Sequence, residues 1–89
     1  MTKTEVTIIN KLGLHARAAA KFVQTASAFT CAIKVGYAER MVDGKSIMAI
    51  MMFAASKGKQ LQLEADGEDE EQAIAAIVDL INRYFDEGE

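Results

Sequence analysis

The sequence predicts a two-layer α+β domain, a small sheet with helices on one face. Three observations carry this. Residues Gln60 to Ala65 alternate cleanly, with Leu61, Leu63 and Ala65 opposing Gln60, Gln62 and Glu64, so one sheet face is wet. Two stretches carry apolar stripes at helical spacing, Ala19, Phe22, Val23, Ala26 and Ala73, Ile74, Ile77, Val78, Ile81, Phe85. The segments also follow one another as β-α-β-β-α-β-α, which suits helices packed against a single sheet face. Pattern alone leaves the strand order open, because a ferredoxin-like sheet with an added helix reads the same way.

Each element has its own reason. Glu5 to Asn10 alternates, with Val6 and Ile8 on one face and Thr7 on the other, and is read as the first strand. Gly13 breaks that run. From Ala16 the residues favour helix, four of five being alanine, and the first helix is expected from about Ala16 to Ala26, with Lys21, Gln24 and Thr25 outward. Cys31 to Tyr37 alternates again, and a turn near Ala38 and Glu39 leads into a short strand over Arg40 to Val42. Asp43-Gly44 is a turn signal and Ser46 is a good N-cap. Ile47 to about Ala54 is apolar on nearly every side, so this helix must be buried or covered by a partner. Gly58 suits a left-handed helix cap. Asp66-Gly67 turns the chain after the fourth strand. Glu68, Asp69, Glu70 and Glu71 read as a solvated helix start that the dipole favours, with Asp69 and Gln72 spaced for a capping box. The last helix is expected to carry its stripe through Phe85, and the acidic tail beyond to fray.

The chemistry gathers at Lys11 to Lys21, which holds the single histidine of the chain. His15 falls at the start of a helix, where the first N–H groups have no partner within the helix and the dipole is positive. The backbone N–H groups of Ala16, Arg17 and Ala18 are therefore placed to receive a phosphate. Arg17 adds a fixed cation with donors suited to phosphate oxygens. A neutral imidazole at such a point is a nucleophile. The residues thus predict that His15 accepts a phosphoryl group and that the helix end holds it. The alternative is a surface histidine beside a helix start.

Composition narrows the field. The chain has 89 residues and 51% hydrophobic content, enough for one small domain over residues 1–89 with one core. Its net charge of −3, without a basic run or interleaved aromatics, argues against nucleic acid as a partner. No stretch has the length and apolarity of a membrane span, and the first residues lead straight into a strand without a signal-like segment, so no membrane association is expected. The single Cys31 sits in an apolar alternation, as a buried core thiol in a reducing compartment would. One His and one Cys argue against a zinc site, and no cofactor is expected.

Two stretches together, Gly13-Leu14-His15-Ala16-Arg17 and Lys45-Ser46-Ile47-Met48 followed by Lys57-Gly58, resemble the HPr family of the phosphoenolpyruvate-dependent phosphotransferase system. The resemblance covers nearly the whole chain. It implies an open-faced β-sandwich with antiparallel strand order 1-4-2-3 and three helices on one face. It also implies that His15 is phosphorylated on Nδ1 by phospho-Enzyme I and passes the group to EIIA-type proteins, with Arg17 neutralising it in transit. Ser46 matches the serine that an HPr kinase/phosphorylase modifies in part of the family, and Ile47, Met48 and Met51 match the apolar docking patch. Such a protein is a cytoplasmic, monomeric, stoichiometric carrier rather than an enzyme. A regulatory, nitrogen-type relay carries an equally competent histidine, and a small acylphosphatase-like hydrolase is a more distant rival. Ala18 departs from the pattern, because the family usually has proline there, and Ala49 and Ala54 stand where many relatives have glycine. Proline carries no reactive group, so its absence leaves the chemistry intact.

Overall fold

Four strands and three helices build the molecule, seen in a computed structural model that describes residues 1–37, 40–53 and 56–86. They run β1 (Thr2–Thr7), α1 (Ala16–Ser27), β2 (Ala32–Tyr37), β3 (Arg40–Asp43), α2 (Ile47–Phe53), β4 (Gln60–Asp66) and α3 (Glu70–Asn82). The turn expected at Ala38 and Glu39, the helix end at Ala54 and the tail beyond Asp86 lie outside the described residues.

The sheet is antiparallel in the order β1-β4-β2-β3. Its register places apolar residues opposite one another: Val6 faces Leu61, Ile33 faces Ala65, and Val35 lies between Leu63 and Val42. Because strand side chains alternate, this register sends Val6, Ile33, Val35, Leu61, Leu63 and Ala65 into the core together. The helices cover that face with Ala18, Ala19, Phe22 and Ala26 from α1, Ile50 and Phe53 from α2, and Ala73, Ile74, Ile77, Leu80 and Ile81 from α3. Gln60 and Gln62 face outward, as the alternation requires. The result is an open-faced β-sandwich.

Several boundaries move for identifiable reasons. The first strand was expected over Glu5 to Asn10, but β1 is Thr2–Thr7. Thr2, Lys3 and Thr4 are polar on both faces, so only their pairing with Ala65, Glu64 and Leu63 makes them strand. Ile8 stays tied to the sheet edge, donating to the Lys59 carbonyl (2.9 Å) and accepting from Gly58 N–H (2.7 Å). Gly58 does have a left-handed backbone, φ 93°, but its N–H serves Ile8. Beyond Ile8 the chain leaves the sheet, and Asn10 is fully buried in the loop that follows.

The last helix also ends sooner than its stripe suggested. α3 stops at Asn82, and Tyr84, Phe85 and Asp86 all take the left-handed conformation, with φ of 59°, 53° and 62°. Phe85 is fully buried all the same, brought into the core by this turn rather than by continued helix. Three such L-residues in a row are strained. Lys21 Nζ, from α1, holds the turn through the Phe85 carbonyl (2.8 Å), and Arg83 bridges Asp79 and Asp86.

The acidic start of α3 is not merely solvated, and Asp69 does not close a capping box. Its side chain makes no cap to its own helix. It accepts instead from the N–H groups of Thr30 (2.8 Å) and Cys31 (3.0 Å), pinning the α1–β2 connection to the foot of α3. The Thr30 N–H bond holds the Asp69 carboxyl below its ordinary range. The Thr2 hydroxyl, bonded to Glu70, does the same there, and the Gly67 N–H adds to it. Cys31 is buried as expected, and burial pushes its thiol pKa up.

Depressed carboxyl pKa values make stability depend on pH with a definite sign. A group whose folded pKa lies below its unfolded value contributes above the unfolded pKa, and the contribution fades as acid carries it through the folded value. Urea midpoints should therefore decline as pH falls below about 4, the ordinary carboxylate range. Asp69→Ala should lower the midpoint at neutral pH and flatten that decline. An acid limb unchanged by the substitution would show that Asp69 does not carry the effect.

Candidate functional site

α1 starts at Ala16, with His15 as its N-cap. The His15 backbone is extended (φ −73°, ψ −179°), and its carbonyl accepts the Ala19 N–H at 2.8 Å, closing the first helical turn. The N–H groups of Ala16, Arg17 and Ala18 thus precede the first intrahelical bond and have no carbonyl to meet within the helix. The first turn holds no acidic residue, so nothing there opposes an anion. Arg17 is exposed, Ala16 is exposed and His15 is half-buried, whereas Ala18 is fully buried. Ala18 lies in the first turn, where proline would cost no helical hydrogen bond.

The approach to His15 is built from short-range contacts. Gly13 has φ 67°, a conformation glycine takes without a steric penalty. Its N–H donates to the Asn10 carbonyl (3.2 Å), while Asn10 Nδ2 donates to the Gly13 carbonyl (2.9 Å). Leu14 is 4% exposed and anchors the chain in the core one residue before His15. The sequence reading passed over Asn10, treating it as the end of a strand. A polar residue closing an Ile8-Ile9 run was the available signal.

Ser46 caps α2. Its Oγ accepts from the Ala49 N–H (3.3 Å), and its carbonyl accepts from Ile50 N–H (3.1 Å). The neighbouring Lys45 Nζ donates to the Phe29 carbonyl at 2.6 Å, just beyond the C-terminal end of α1. His15 lies at the other end of that 12-residue helix, about 18 Å away along its axis. The chain beyond α2 returns to the His15 side, where Gly58 meets Ile8.

Only Ile50 and Phe53 of α2 are buried. Ile47 is 40%, Met48 70%, Met51 44% and Met52 72% exposed, so Ile47, Met48 and Met51 all reach solvent. Met52 and Leu12 are exposed as well, and the sequence reading did not assign them to the patch. Among the described residues no group of three His, Cys, Asp or Glu side chains is placed to hold a metal ion, and no helix is long and apolar enough to cross a membrane.

Residues 2–83 match the family model for the PTS HPr component phosphorylation site. The chain is 60% identical to the phosphocarrier protein HPr of Pseudomonas putida over 90 residues, covering all of both chains. It is 42% identical to the phosphocarrier protein NPr of Shewanella violacea, covering 98% of each. The crystal structure of HPr-C-His from Thermoanaerobacter tengcongensis superposes with a TM-score of 0.94 at 50% identity, covering 98% of each chain. A matching family model along nearly the whole chain, full-length relatives and a shared fold place this chain in the HPr family, the phosphocarrier proteins of the phosphotransferase system.

Proposed function

We propose that His15 is the residue that carries the phosphoryl group, receiving it from phospho-Enzyme I and delivering it to EIIA-type proteins. The observation that supports this most directly is the placement of His15 as N-cap of an α1 whose first turn is free of acid. Nδ1 of the neutral imidazole attacks phosphorus, a P–N bond forms, and the bond from phosphorus to the donor group breaks. The transferring group carries its negative charge spread over three phosphoryl oxygens as it passes between donor and acceptor. The amides of Ala16 and Arg17 and the Arg17 guanidinium are fixed donors for that charge, so little reorganisation is needed during transfer, whereas Ala18, whose amide the sequence also offered, is fully buried. Delivery runs the same step in reverse toward the next acceptor. The protein ends each cycle as it began, a stoichiometric carrier rather than an enzyme.

Docking falls to the exposed surface of α2. Ile47, Met48 and Met51 offer exposed apolar area, and flexible methionine side chains suit a surface that must fit more than one partner. Ser46 is the candidate regulatory site for an HPr kinase/phosphorylase. A phosphate there would add negative charge beside the exposed Ile47 and Met48, and would act by repelling an acidic partner surface. We assign residues 1–89 to one domain acting as a cytoplasmic monomer. The higher identity to HPr than to NPr supports sugar uptake and its regulation as the main role, with the nitrogen-type relay as the second reading.

Incubation with phospho-Enzyme I should give an acid-labile, base-stable phosphate on the native protein and none on His15→Ala. Labelling that survives in the folded variant would assign the phosphate elsewhere. Ser46→Asp exchanges one good cap for another and should hold stability within about 0.5 kcal/mol. It should nevertheless slow phosphoryl uptake from Enzyme I in stopped-flow transfer, and unchanged kinetics would leave Ser46 as a cap alone.

A further inference from the structure

We infer that Asn10 is a positioning residue for phosphoryl transfer, setting the backbone that presents His15. This rests on the reading of His15 as the phosphoryl acceptor.

The argument follows the chain. Ile8 is fastened to the sheet edge by two backbone hydrogen bonds, one to Lys59 and one from Gly58. Two residues later Asn10 is fully buried, the one polar side chain among the buried residues described. Burying an amide is unfavourable unless its polar atoms are satisfied, so a polar residue at such a place implies a use for its hydrogen bonds. Its Nδ2 donates to the Gly13 carbonyl at 2.9 Å, and its own carbonyl takes the Gly13 N–H at 3.2 Å. Both polar groups of Gly13 are thus tied to one residue.

The Gly13 carbonyl belongs to the peptide plane that leads into Leu14, so holding that oxygen holds the plane. The Leu14 side chain is locked in the core next to it. His15 follows immediately, with the start of α1 fixed on its other side by the Ala19 N–H. The imidazole therefore hangs from a backbone fixed from both directions, and Asn10 supplies the constraint on the upstream side. Glycine at position 13 is free to adopt many conformations, and without the Asn10 amide the Gly13–Leu14 peptide loses the bond that selects the observed one. A small misplacement of a reacting group costs rate even when the group itself is intact. Asn10 does not lie on the exposed α2 surface, so its loss should leave docking alone.

The test is single-turnover transfer from phospho-Enzyme I to native protein, Asn10→Ala and Asn10→Asp, read as maximal rate and half-saturating concentration. Asn10→Asp keeps the shape but, as a carboxylate, has no proton to donate to the Gly13 carbonyl. Both variants should lose about tenfold to a hundredfold in maximal rate, with half-saturation within about twofold of native. Circular dichroism at the assay temperature should show the native fold. Amide resonances of Gly13 and Leu14 should broaden or shift, while those of α2 stay in place. A native maximal rate in either folded variant would overturn the assignment. A change confined to half-saturation would overturn it too, since Asn10 would then serve docking. Loss of the fold in both variants would equally overturn it, assigning Asn10 to stability. If the native protein takes up no phosphate, the reading of His15 fails as well, an outcome distinct from normal uptake by the variants.

Discussion

The position of the first residue of α1 is the constraint on which the site depends. A helix turns 100° per residue, so a start one residue earlier would bring His15 into the first turn and point its ring elsewhere. The start is fixed by what precedes and follows it. Gly13 turns with φ 67°, Leu14 is sunk in the core, and the His15 carbonyl closes the first turn with Ala19. The helix is held in turn by Ala18, Ala19, Phe22 and Ala26 against the sheet. The core therefore does more than stabilise the protein: it sets where the backbone donors without an intrahelical carbonyl begin.

α2 keeps apolar surface in water, and its anchoring shows how it can. Ile50 and Phe53 secure the helix, and the Ser46 cap completes its first turn, while Ile47, Met48, Met51 and Met52 stay outside. Seven residues are too few for a helix to be stable alone, so anchoring by two buried side chains and a cap decides its existence. Lys45 ties its start to the far end of α1, and Gly58, five residues past its end, is bonded to Ile8.

Long-range polar contacts hold the periphery. Asp69 reaches across to Thr30 and Cys31, Glu70 to Thr2 and the N-terminal ammonium, and Lys21 to Phe85. Each joins segments far apart in the chain, closing connections that the hydrophobic core leaves loose. The left-handed turn at Tyr84 to Asp86 persists because Phe85 gains full burial, Lys21 holds the Phe85 carbonyl and Arg83 holds the Asp86 carboxylate.

Local pattern by itself determined the element order, the wet face of β4, the helix beginning at Ala16 and the cap at Ser46. Each depends on a few neighbouring residues: alternation, helix-forming alanines, or a serine before an apolar run. It also marked α2 as too apolar to be wholly solvated. The strand order came from family resemblance, because a hydrophobic strand does not encode which neighbour it pairs with. Only the tertiary structure decided the rest. Thr2 to Thr4 became strand through pairing with β4, although their own pattern is polar. Asp69 left its own helix for Thr30 and Cys31, because a carboxylate serves whichever unpaired N–H groups the fold brings to it. Asn10 moved from a strand end into the core, where its amide meets Gly13. Phe85 reached the core through a turn that no helical stripe foretells, since burial of the ring and not the helix period fixed where it went.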